Sequence, residues 1–294
     1  MLIWLLGKNG QLGRALAFEL KKNRCPFLSS GSLEADVTSL ESLRNFLKRA
    51  GSGKQRPAVT HILNAAAYTD VEKAEKEKTR AMQVNFEALF NLAEIARTLG
   101  AKLVHFSTDY VFDGKLSRPY LEDDPALPLN VYGQSKFLGE ELIQKLLPEA
   151  LIIRTSWLFG ESENNFVFKI LKRMQKEIRL QVVKDQIGRP TAAPDLAFFT
   201  LKLLPFSGLF HFAGKEIVCW QQFALQILAE AKKSGLELKT ESIDGILSKD
   251  FASAAKRPAY SALDLGKTER LLSLKAPSYK IALQKLIGAY AKKN

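Results

Sequence analysis

The opening of the chain constrains its fold most strongly, because a short apolar run leads directly into a glycine-rich turn. Residues 2–6 are all apolar, the glycines Gly7, Gly10 and Gly13 follow, and a helical pattern comes next. Such a run is typical of a buried parallel strand. Glycines let the backbone approach a pyrophosphate, and the free N–H groups at the start of the next helix attract it. The spacing, G-x-x-G-x-x-G, differs from the usual G-x-G-x-x-G. The opening therefore predicts a strand, turn and helix that bind a dinucleotide.

Further apolar segments alternate with helical patterns over the first half of the chain. Strands are predicted at residues 26–30, 59–63, 103–106 and 151–155, with a long helix at residues 80–99. Strands that alternate with helices in this way predict an α/β fold, a doubly wound parallel sheet of the Rossmann type. From about residue 160 the character changes, and no second glycine turn follows. We expect residues 1–160 to form the dinucleotide-binding domain and residues 161–294 a smaller α/β lobe for the substrate, with an exchange of segments between them left open.

Small and polar residues follow the predicted third and fourth strands. Asn64-Ala65-Ala66-Ala67-Tyr68 comes after one, and Ser107-Thr108-Asp109 after the other. Ligands of doubly wound sheets bind at the carboxyl ends of the strands, so these runs and the glycine turn are expected to converge. After the second strand, residues 29–32 offer neither an acid for a ribose 2′-hydroxyl nor an arginine for a 2′-phosphate. Asp36 either starts a helix or contacts the adenine.

Tyr132 and Lys136 are the candidate catalytic pair. Residues four apart share a helix face, so the phenol and the ammonium can point into the same space. A nearby cation lowers the pKa of a tyrosine, which can then exchange a proton with a carbonyl oxygen near neutral pH. Thr108 can supply a second hydrogen bond to that oxygen. Because such pairs also recur by chance on exposed helices, their meaning depends on the dinucleotide site upstream.

Composition narrows the classes of partner. The net charge of +12 suits a polyanion, but the lysines are scattered and no basic block is interleaved with aromatic residues, so a nucleotide is favoured over nucleic acid. Residues 2–6 are too short to span a bilayer, and no long uncharged apolar run occurs elsewhere, which indicates a cytoplasmic protein without a membrane partner. Two cysteines, Cys25 and Cys219, build neither a disulfide framework nor a thiolate metal site. The three histidines are expected to be satisfied strand residues.

Taken together in chain order, these motifs resemble an extended short-chain dehydrogenase/reductase. Finer motifs resemble the dTDP-4-dehydrorhamnose reductase family over nearly the whole chain: Gly10-Gln11-Leu12-Gly13, Ser107-Thr108-Asp109-Tyr110-Val111-Phe112-Asp113-Gly114, Pro128-Leu129-Asn130-Val131-Tyr132-Gly133, Arg154-Thr155-Ser156-Trp157, Asp185-Gln186-x-Gly188-x-Pro190-Thr191 and Arg257-Pro258. That family reduces the 4-keto group of dTDP-4-dehydro-L-rhamnose with NADPH or NADH, for cell-surface polysaccharide.

The resemblance implies a set of site residues. Those expected at the cofactor are Gly7, Gly10, Gln11, Leu12, Gly13, Asp36, Val37, Ala66, Ala67, Tyr68, Phe106, Tyr132 and Lys136. Those expected at the dTDP-sugar are Thr108, Asp109, Trp157, Asn165 and Arg257, the last as a diphosphate ligand, with a surface arginine as the alternative. The catalytic residues are Thr108, Tyr132 as proton donor and Lys136, which binds the nicotinamide ribose and tunes the tyrosine.

One departure from the family concerns assembly. Its magnesium-bridged dimers use a glutamate two residues after the last glycine of the turn, where this chain has Ala15. We therefore expect no metal, and a monomer or a homodimer without a metal bridge. Two other functions stay open: a sugar-nucleotide epimerase or dehydratase of the same superfamily, and a non-catalytic regulatory subunit like the relative that binds methionine adenosyltransferase.

Overall fold

The computed structural model describes residues 1–51 and 58–293. Its strands are β1 (Leu2–Leu6), β2 (Phe27–Ser30), β3 (Val59–Asn64), β4 (Lys102–Thr108), β5 (Leu151–Thr155), β6 (Leu158–Phe159), β7 (Arg179–Val183), β8 (Ile187–Gly188), β9 (Thr191–Ala192), β10 (Gly208–His211), β11 (Val218–Cys219) and β12 (Ser242–Ile246). Its α-helices are α1 (Gln11–Lys22), α2 (Leu40–Gly51), α3 (Val71–Ala74), α4 (Lys78–Met82), α5 (Ala88–Leu99), α6 (Val131–Leu146), α7 (Phe166–Met174), α8 (Ala193–Leu203), α9 (Trp220–Lys233), α10 (Gly266–Leu272) and α11 (Tyr279–Ala291).

Six strands form one parallel sheet in the order β2-β1-β3-β4-β5-β10. The predicted doubly wound α/β fold is confirmed. All five residues of β1 are buried, since helices cover both faces of the sheet. On one face α1 and α8 enclose a core with Leu16 and Leu203, and on the other α2, α5 and α6 enclose a second core with Leu92 and Ile143. All six carboxyl ends therefore open at the same edge.

A smaller lobe follows β5. It contains α7, α9, α11 and the parallel pair of β7 and β12, packed around a third apolar core that includes Phe223 and Ile227. The chain also returns to the first lobe, because β10 extends the large sheet and α8 packs against α1. Residues 193–211, which a division at residue 160 assigns to the second lobe, thus lie in the first.

The predicted helix at residues 80–99 begins earlier and is interrupted. It starts with α4 and passes through a π-helical turn, Gln83–Glu87, before α5. In that turn Asn85 accepts a hydrogen bond from the Tyr68 backbone N–H at 2.9 Å and donates one to the Tyr68 carbonyl at 2.9 Å. Gly139 of α6 also approaches closely, since a Cβ there would lie 2.5 Å from the Asn85 carbonyl oxygen. The irregular turn thus fixes the loop after β3, a role typical of π-turns near sites.

The histidine interpretation is confirmed, since His61, His105 and His211 lie in β3, β4 and β10 and each has a hydrogen-bonding partner. Both cysteines are free. None of the helices in the described ranges combines the length and apolar character that a membrane span requires.

Candidate active site

Two adjoining cavities open at the carboxyl edge of the sheet. The larger has a volume of about 450 Å³ and the smaller about 320 Å³, and both have Gly10, Ala65 and Ala67 in their walls. The glycine turn after β1 and the alanine run after β3 therefore form a shared wall. The two cavities together offer the two adjoining spaces that a dinucleotide requires.

The glycine turn has no room for side chains. Gly7 has a φ of +78°, and a Cβ on it would lie 2.6 Å from the backbone carbon of Ala65. A Cβ on Gly13 would lie 2.0 Å from the Gly7 carbonyl oxygen. Gly10 precedes α1 without a side-chain cap from the described residues, so the first N–H groups of α1 stay available to an anion. The turn thus has the close backbone approach and the uncapped helix start that the sequence analysis expects at a pyrophosphate.

The smaller cavity contains the residues expected at the adenosine. Asp36 and Val37 line it, and the Asp36 carboxylate accepts hydrogen bonds from the Thr38 N–H at 2.9 Å and the Thr38 hydroxyl at 2.8 Å. Ala66 and Tyr68 also line it. The Asp36 carboxylate is thus both a local helix-start acid and part of the cavity wall.

Two charged groups near this cavity were not predicted from the sequence. Arg80 of α4 lines it, and Glu34 binds the Gly31 N–H at 2.7 Å and the Lys8 ammonium at 2.5 Å at the end of β2. That backbone hydrogen bond and Lys8 lower the pKa of Glu34. Arg80 is distant in sequence from the second strand, so no motif near that strand predicts its place in the cavity wall.

Thr108, Tyr132 and Lys136 meet in the larger cavity, together with Phe106. Asn130 caps α6 by accepting a hydrogen bond from the Gly133 N–H at 2.8 Å, which places Tyr132 in the first turn of α6. Burial raises the pKa of Tyr132 to about 12, although a hydrogen bond with the Thr108 hydroxyl opposes the shift. Burial thus outweighs the effect expected of a nearby cation, and the pKa of Tyr132 lies above its ordinary value, not below it.

The Lys136 ammonium instead contacts a histidine. Its Nζ lies 3.2 Å from His105 Nε2, and the Lys136 side chain is almost fully buried. Burial lowers the pKa of Lys136 to about 8, and the charge of Glu140 on the same helix opposes the shift. The Glu140 carboxylate in turn accepts a 2.6 Å hydrogen bond from the guanidinium of Arg154 in β5. This buried ion pair connects α6, which carries Lys136, to strand β5 of the sheet.

Asp109 is buried and lines the same cavity. Its carboxyl group accepts hydrogen bonds from the Ser261 hydroxyl at 2.6 Å and the Thr108 hydroxyl at 3.1 Å. Burial raises the pKa of Asp109 to about 7, against the effect of both hydroxyls. The residue thus connects the end of β4 to a segment of the C-terminal part of the chain.

Two buried hydroxyl groups in the larger cavity lack partners. Ser107 Oγ and Thr155 Oγ1 have no hydrogen-bonding partner within the described ranges, and both residues line the cavity. Buried polar groups are normally hydrogen-bonded, so a polar ligand is the natural partner of these two. Both residues belong to motifs that carried the family resemblance, but neither was assigned a role from the sequence.

The residues expected at the substrate divide into two groups. Trp157 and Asn165 line the larger cavity, and the Trp157 ring stacks on Trp220, with ring centroids 3.5 Å apart and planes 6° from parallel. Asn165 caps α7 and donates a hydrogen bond to the Gln11 side chain at 2.7 Å, which joins the second lobe to the glycine turn. Arg257, by contrast, lines neither the larger nor the smaller cavity.

Comparisons with known proteins identify the family of this chain. The family described as RmlD substrate binding domain matches residues 1–292. The chain is 38% identical to the dTDP-4-dehydrorhamnose reductase of Aggregatibacter actinomycetemcomitans, over 98% of each chain. It resembles the crystal structure of a dTDP-4-dehydrorhamnose reductase from Clostridium acetobutylicum, with a TM-score of 0.88, 32% identity and 99% of each chain covered. The corresponding enzyme of Bacillus anthracis, solved in complex with NADP, gives a TM-score of 0.87 and 32% identity, with 97% of this chain and 98% of that one covered.

Proposed function

The chain belongs to the RmlD family, and from that premise we propose that it is an NAD(P)H-dependent oxidoreductase. Its reaction is the reduction of the 4-keto group of dTDP-4-dehydro-L-rhamnose, which gives dTDP-L-rhamnose. The observation that carries the proposal is the presence of Thr108, Tyr132 and Lys136 in one cavity that continues into the groove at the glycine turn.

The residues of the groove fit the cofactor. The glycine turn and the N-terminus of α1 hold the pyrophosphate, Asp36 and Val37 face the adenosine, and Lys136 binds the nicotinamide ribose. Support comes from the cradle that a Cβ on Gly7 or Gly13 would fill. The unpartnered hydroxyls of Ser107 and Thr155 provide further polar contacts. When bound, NADPH supplies the hydride that reaches C4 of the sugar.

Tyr132 supplies the proton. Because its pKa is about 12, the phenol is protonated at neutral pH and can donate to the O4 oxygen as negative charge develops there. Thr108 stabilises the same oxygen by a hydrogen bond. Proton donation leaves a phenolate in a buried site, where it is unfavourable alone. The charged Lys136 offsets that penalty once the phenolate forms.

The substrate lies across the two lobes. The carbonyl group is placed at Tyr132, and the indole of Trp157 packs on the sugar nucleotide, with Trp220 behind it. The flat stack of two indoles supports this assignment, since a broad apolar surface suits a planar base or the face of a sugar. Arg257 is assigned to the diphosphate, whose oxygens match a guanidinium. The two free cysteines agree with a reducing compartment, the cytoplasm.

An NAD(P)H oxidation assay with enzymatically generated dTDP-4-dehydro-L-rhamnose tests the proposal. Stoichiometric loss of NADPH absorbance with formation of dTDP-L-rhamnose is expected, and dTDP-glucose, which has no keto group, is the control substrate. An epimerase or dehydratase would convert a sugar nucleotide without net loss of NADPH. A regulatory subunit would show no turnover and would retain a synthetase in a pull-down. Either outcome would contradict the proposal.

A further inference from the structure

His105 is a buried titratable residue to which the proposed mechanism gives no role. It lies in β4, 1% exposed, opposite Asn64 of β3 in the register of the sheet. Its Nε2 is 3.2 Å from the Lys136 ammonium, and its Nδ1 is 3.1 Å from the Asn64 side-chain amide. The other atom of that amide, Oδ1, accepts the Ala66 N–H at 3.3 Å. A continuous polar path therefore runs from the loop in the wall of both cavities to the proposed catalytic lysine.

The hydrogen-bonding requirements of these groups restrict their protonation states. An ammonium group has donors only, so a charged Lys136 requires His105 Nε2 to be an acceptor and the ring proton to reside on Nδ1. That tautomer needs the Asn64 oxygen turned toward Nδ1, which gives up the 3.3 Å hydrogen bond from the Ala66 N–H, although the two orientations of an asparagine amide occupy the same space. With the amide nitrogen toward Nδ1, the ring proton is on Nε2, and only a neutral lysine can accept it. The charge of Lys136 is thus coupled to the tautomer of His105.

We propose that His105 is a positioning residue that accepts a hydrogen bond from Lys136, holds it toward the cavity and stabilises its charged form. The inference rests on the proposed function, in which a charged Lys136 binds the cofactor and stabilises the Tyr132 phenolate. An ammonium has three donors, and one bond to His105 leaves two for ligands in the cavity. A phenylalanine would fill the same buried space without an acceptor, so packing alone does not require histidine.

The other charged groups around Lys136 do not replace this acceptor. Glu140 lies one turn further along α6, and its carboxylate is engaged by three hydrogen bonds from Arg154 at 2.6 to 3.1 Å. Tyr132 on the same helix is protonated at neutral pH. Burial and the Lys136 charge hold the pKa of His105 well below its usual value, so the imidazole is neutral and available as an acceptor. His105 is therefore the neutral partner that the buried ammonium contacts directly.

Three substitutions of His105 distinguish its role as a hydrogen-bond acceptor from the effects of side-chain packing and side-chain polarity. His105→Gln carries a carbonyl that reaches the Nε2 position, whereas His105→Asn reaches only the Nδ1 side, and His105→Phe keeps the ring shape. Loss of the acceptor lowers the pKa of the lysine further. The loss of activity at alkaline pH should therefore begin at a lower pH than in the unsubstituted protein. We expect the alkaline limb of the kcat profile to move down by about one pH unit or more in His105→Asn and His105→Phe. In His105→Gln it stays near that of the unsubstituted protein.

Two controls keep the outcome decisive. Thermal unfolding identifies variants that fail to fold, and the Gln and Asn variants, which are both polar amides, serve as a matched pair. Folded Asn and Phe variants with an unchanged alkaline limb would overturn the inference. NADPH affinity, followed by fluorescence over the same pH range, gives a readout independent of turnover. As pH rises, NADPH affinity should begin to weaken at a lower pH in His105→Asn than in His105→Gln. This holds even if the unsubstituted protein fails to reduce the proposed sugar.

Discussion

Glu72 and Arg257 form an ion pair with 2.6 Å between the carboxylate and guanidinium groups, which joins α3 to the segment at residues 253–257. The same carboxylate accepts hydrogen bonds from the Ser253 hydroxyl at 2.6 Å and from the Ala254 N–H at 2.8 Å. The Arg257 guanidinium also interacts with the hydroxyl of Tyr110, whose ring meets that of Tyr132 edge to face at 6.0 Å. Arg257 is therefore held beside the proposed active site and is not a loose surface arginine.

Arg257→Ala is expected to raise the KM for the dTDP-sugar about 10- to 100-fold, the size expected for a lost hydrogen bond between a guanidinium and a phosphate, with little change in kcat. Steady-state kinetics at saturating NADPH measure this. Glu72→Gln is the matched control, since it breaks the same ion pair but leaves the guanidinium available to the substrate. If the two variants lose stability equally and neither changes KM, Arg257 serves only to hold its segment.

Tyr132→Phe keeps the ring and removes the proton donor. Turnover should fall by about 10²- to 10⁴-fold, the usual contribution of a general acid. NADPH binding should change little, because the ribose contact is assigned to Lys136. The comparison variant is Tyr110→Phe, which removes a neighbouring hydroxyl from the same cavity and should cost much less. Near-normal turnover of Tyr132→Phe would refute the mechanism.

Asp109 should give the protein an unusual dependence of stability on pH. Its pKa is raised from an ordinary value near 3.8 to about 7, so the folded state binds its proton more tightly than the unfolded state does. Stability is therefore lost as pH rises from about 4 to about 7. Asp109→Asn lacks this penalty, which is on the order of a few kcal/mol.

The difference in Tm between Asp109→Asn and the unsubstituted protein should consequently grow in favour of the variant across that range and level off above pH 7. Melting curves at half-unit intervals measure it. A difference that stays constant from pH 4 to pH 8 would show that the carboxyl group ionises normally in the folded state.

The sheet, and the convergence of ligand-binding residues at the carboxyl ends of its strands, were predictable because they depend on local sequence patterns. A five-residue apolar run with glycines after it indicates β1 and its turn, and the rule that ligands bind at carboxyl ends of strands brings Thr108 and the run at residues 65–68 to that turn. The place of β10 was not predictable in this way. Four residues, Gly208–His211, join the sheet after the chain has already built part of the other lobe, and pairing over such a distance leaves no local trace.

The electrostatics of the site were the least predictable part. A lysine four residues from a tyrosine indicates an ordinary charge effect, but the structure shows a buried tyrosine with a raised pKa and a lysine directed to His105. Burial depends on everything packed around a group, so the sign of a pKa shift does not follow from spacing. Likewise Arg80 lines the smaller cavity from a helix that follows another strand.

Cofactor choice should be permissive. We expect NADH and NADPH both to work, with a preference below about a hundredfold, or roughly 2.7 kcal/mol. Arg80 adds a cation to the wall of the adenosine cavity, so Arg80→Ala should weaken NADPH by about tenfold through loss of a charged hydrogen bond and affect NADH less. Lys78→Ala, an exposed change on the same helix, is the control. An equal loss for both cofactors would place Arg80 at the adenine instead of the 2′-phosphate.

Magnesium should influence neither activity nor assembly. Ala15 offers no oxygen at the bridging position of the family's metal-linked dimers, and magnesium binds through carboxylates and other oxygens. Glu19 lies one turn further along α1 and is the carboxylate that would have to replace the missing ligand. It is buried, accepts a hydrogen bond from Asn23 at 2.8 Å and lies 3.6 Å from Lys22. Within the described ranges, no cluster of three or more histidine, cysteine, aspartate or glutamate residues is placed to hold a metal.

Light scattering and the reductase assay, each with and without EDTA, measure both effects. Proton transfer by Tyr132 and charge stabilisation by Lys136 need no metal, so the rate should be unchanged on chelation. The molecular mass should also stay constant, whether that of a monomer or of a dimer formed through another surface. The Ala15→Glu variant extends the test, because it restores the carboxylate and should create magnesium-dependent association if the rest of that surface is retained. A dimer of the unsubstituted protein that dissociates and loses activity in EDTA would instead show that Glu19 gives up its partners to bind the metal.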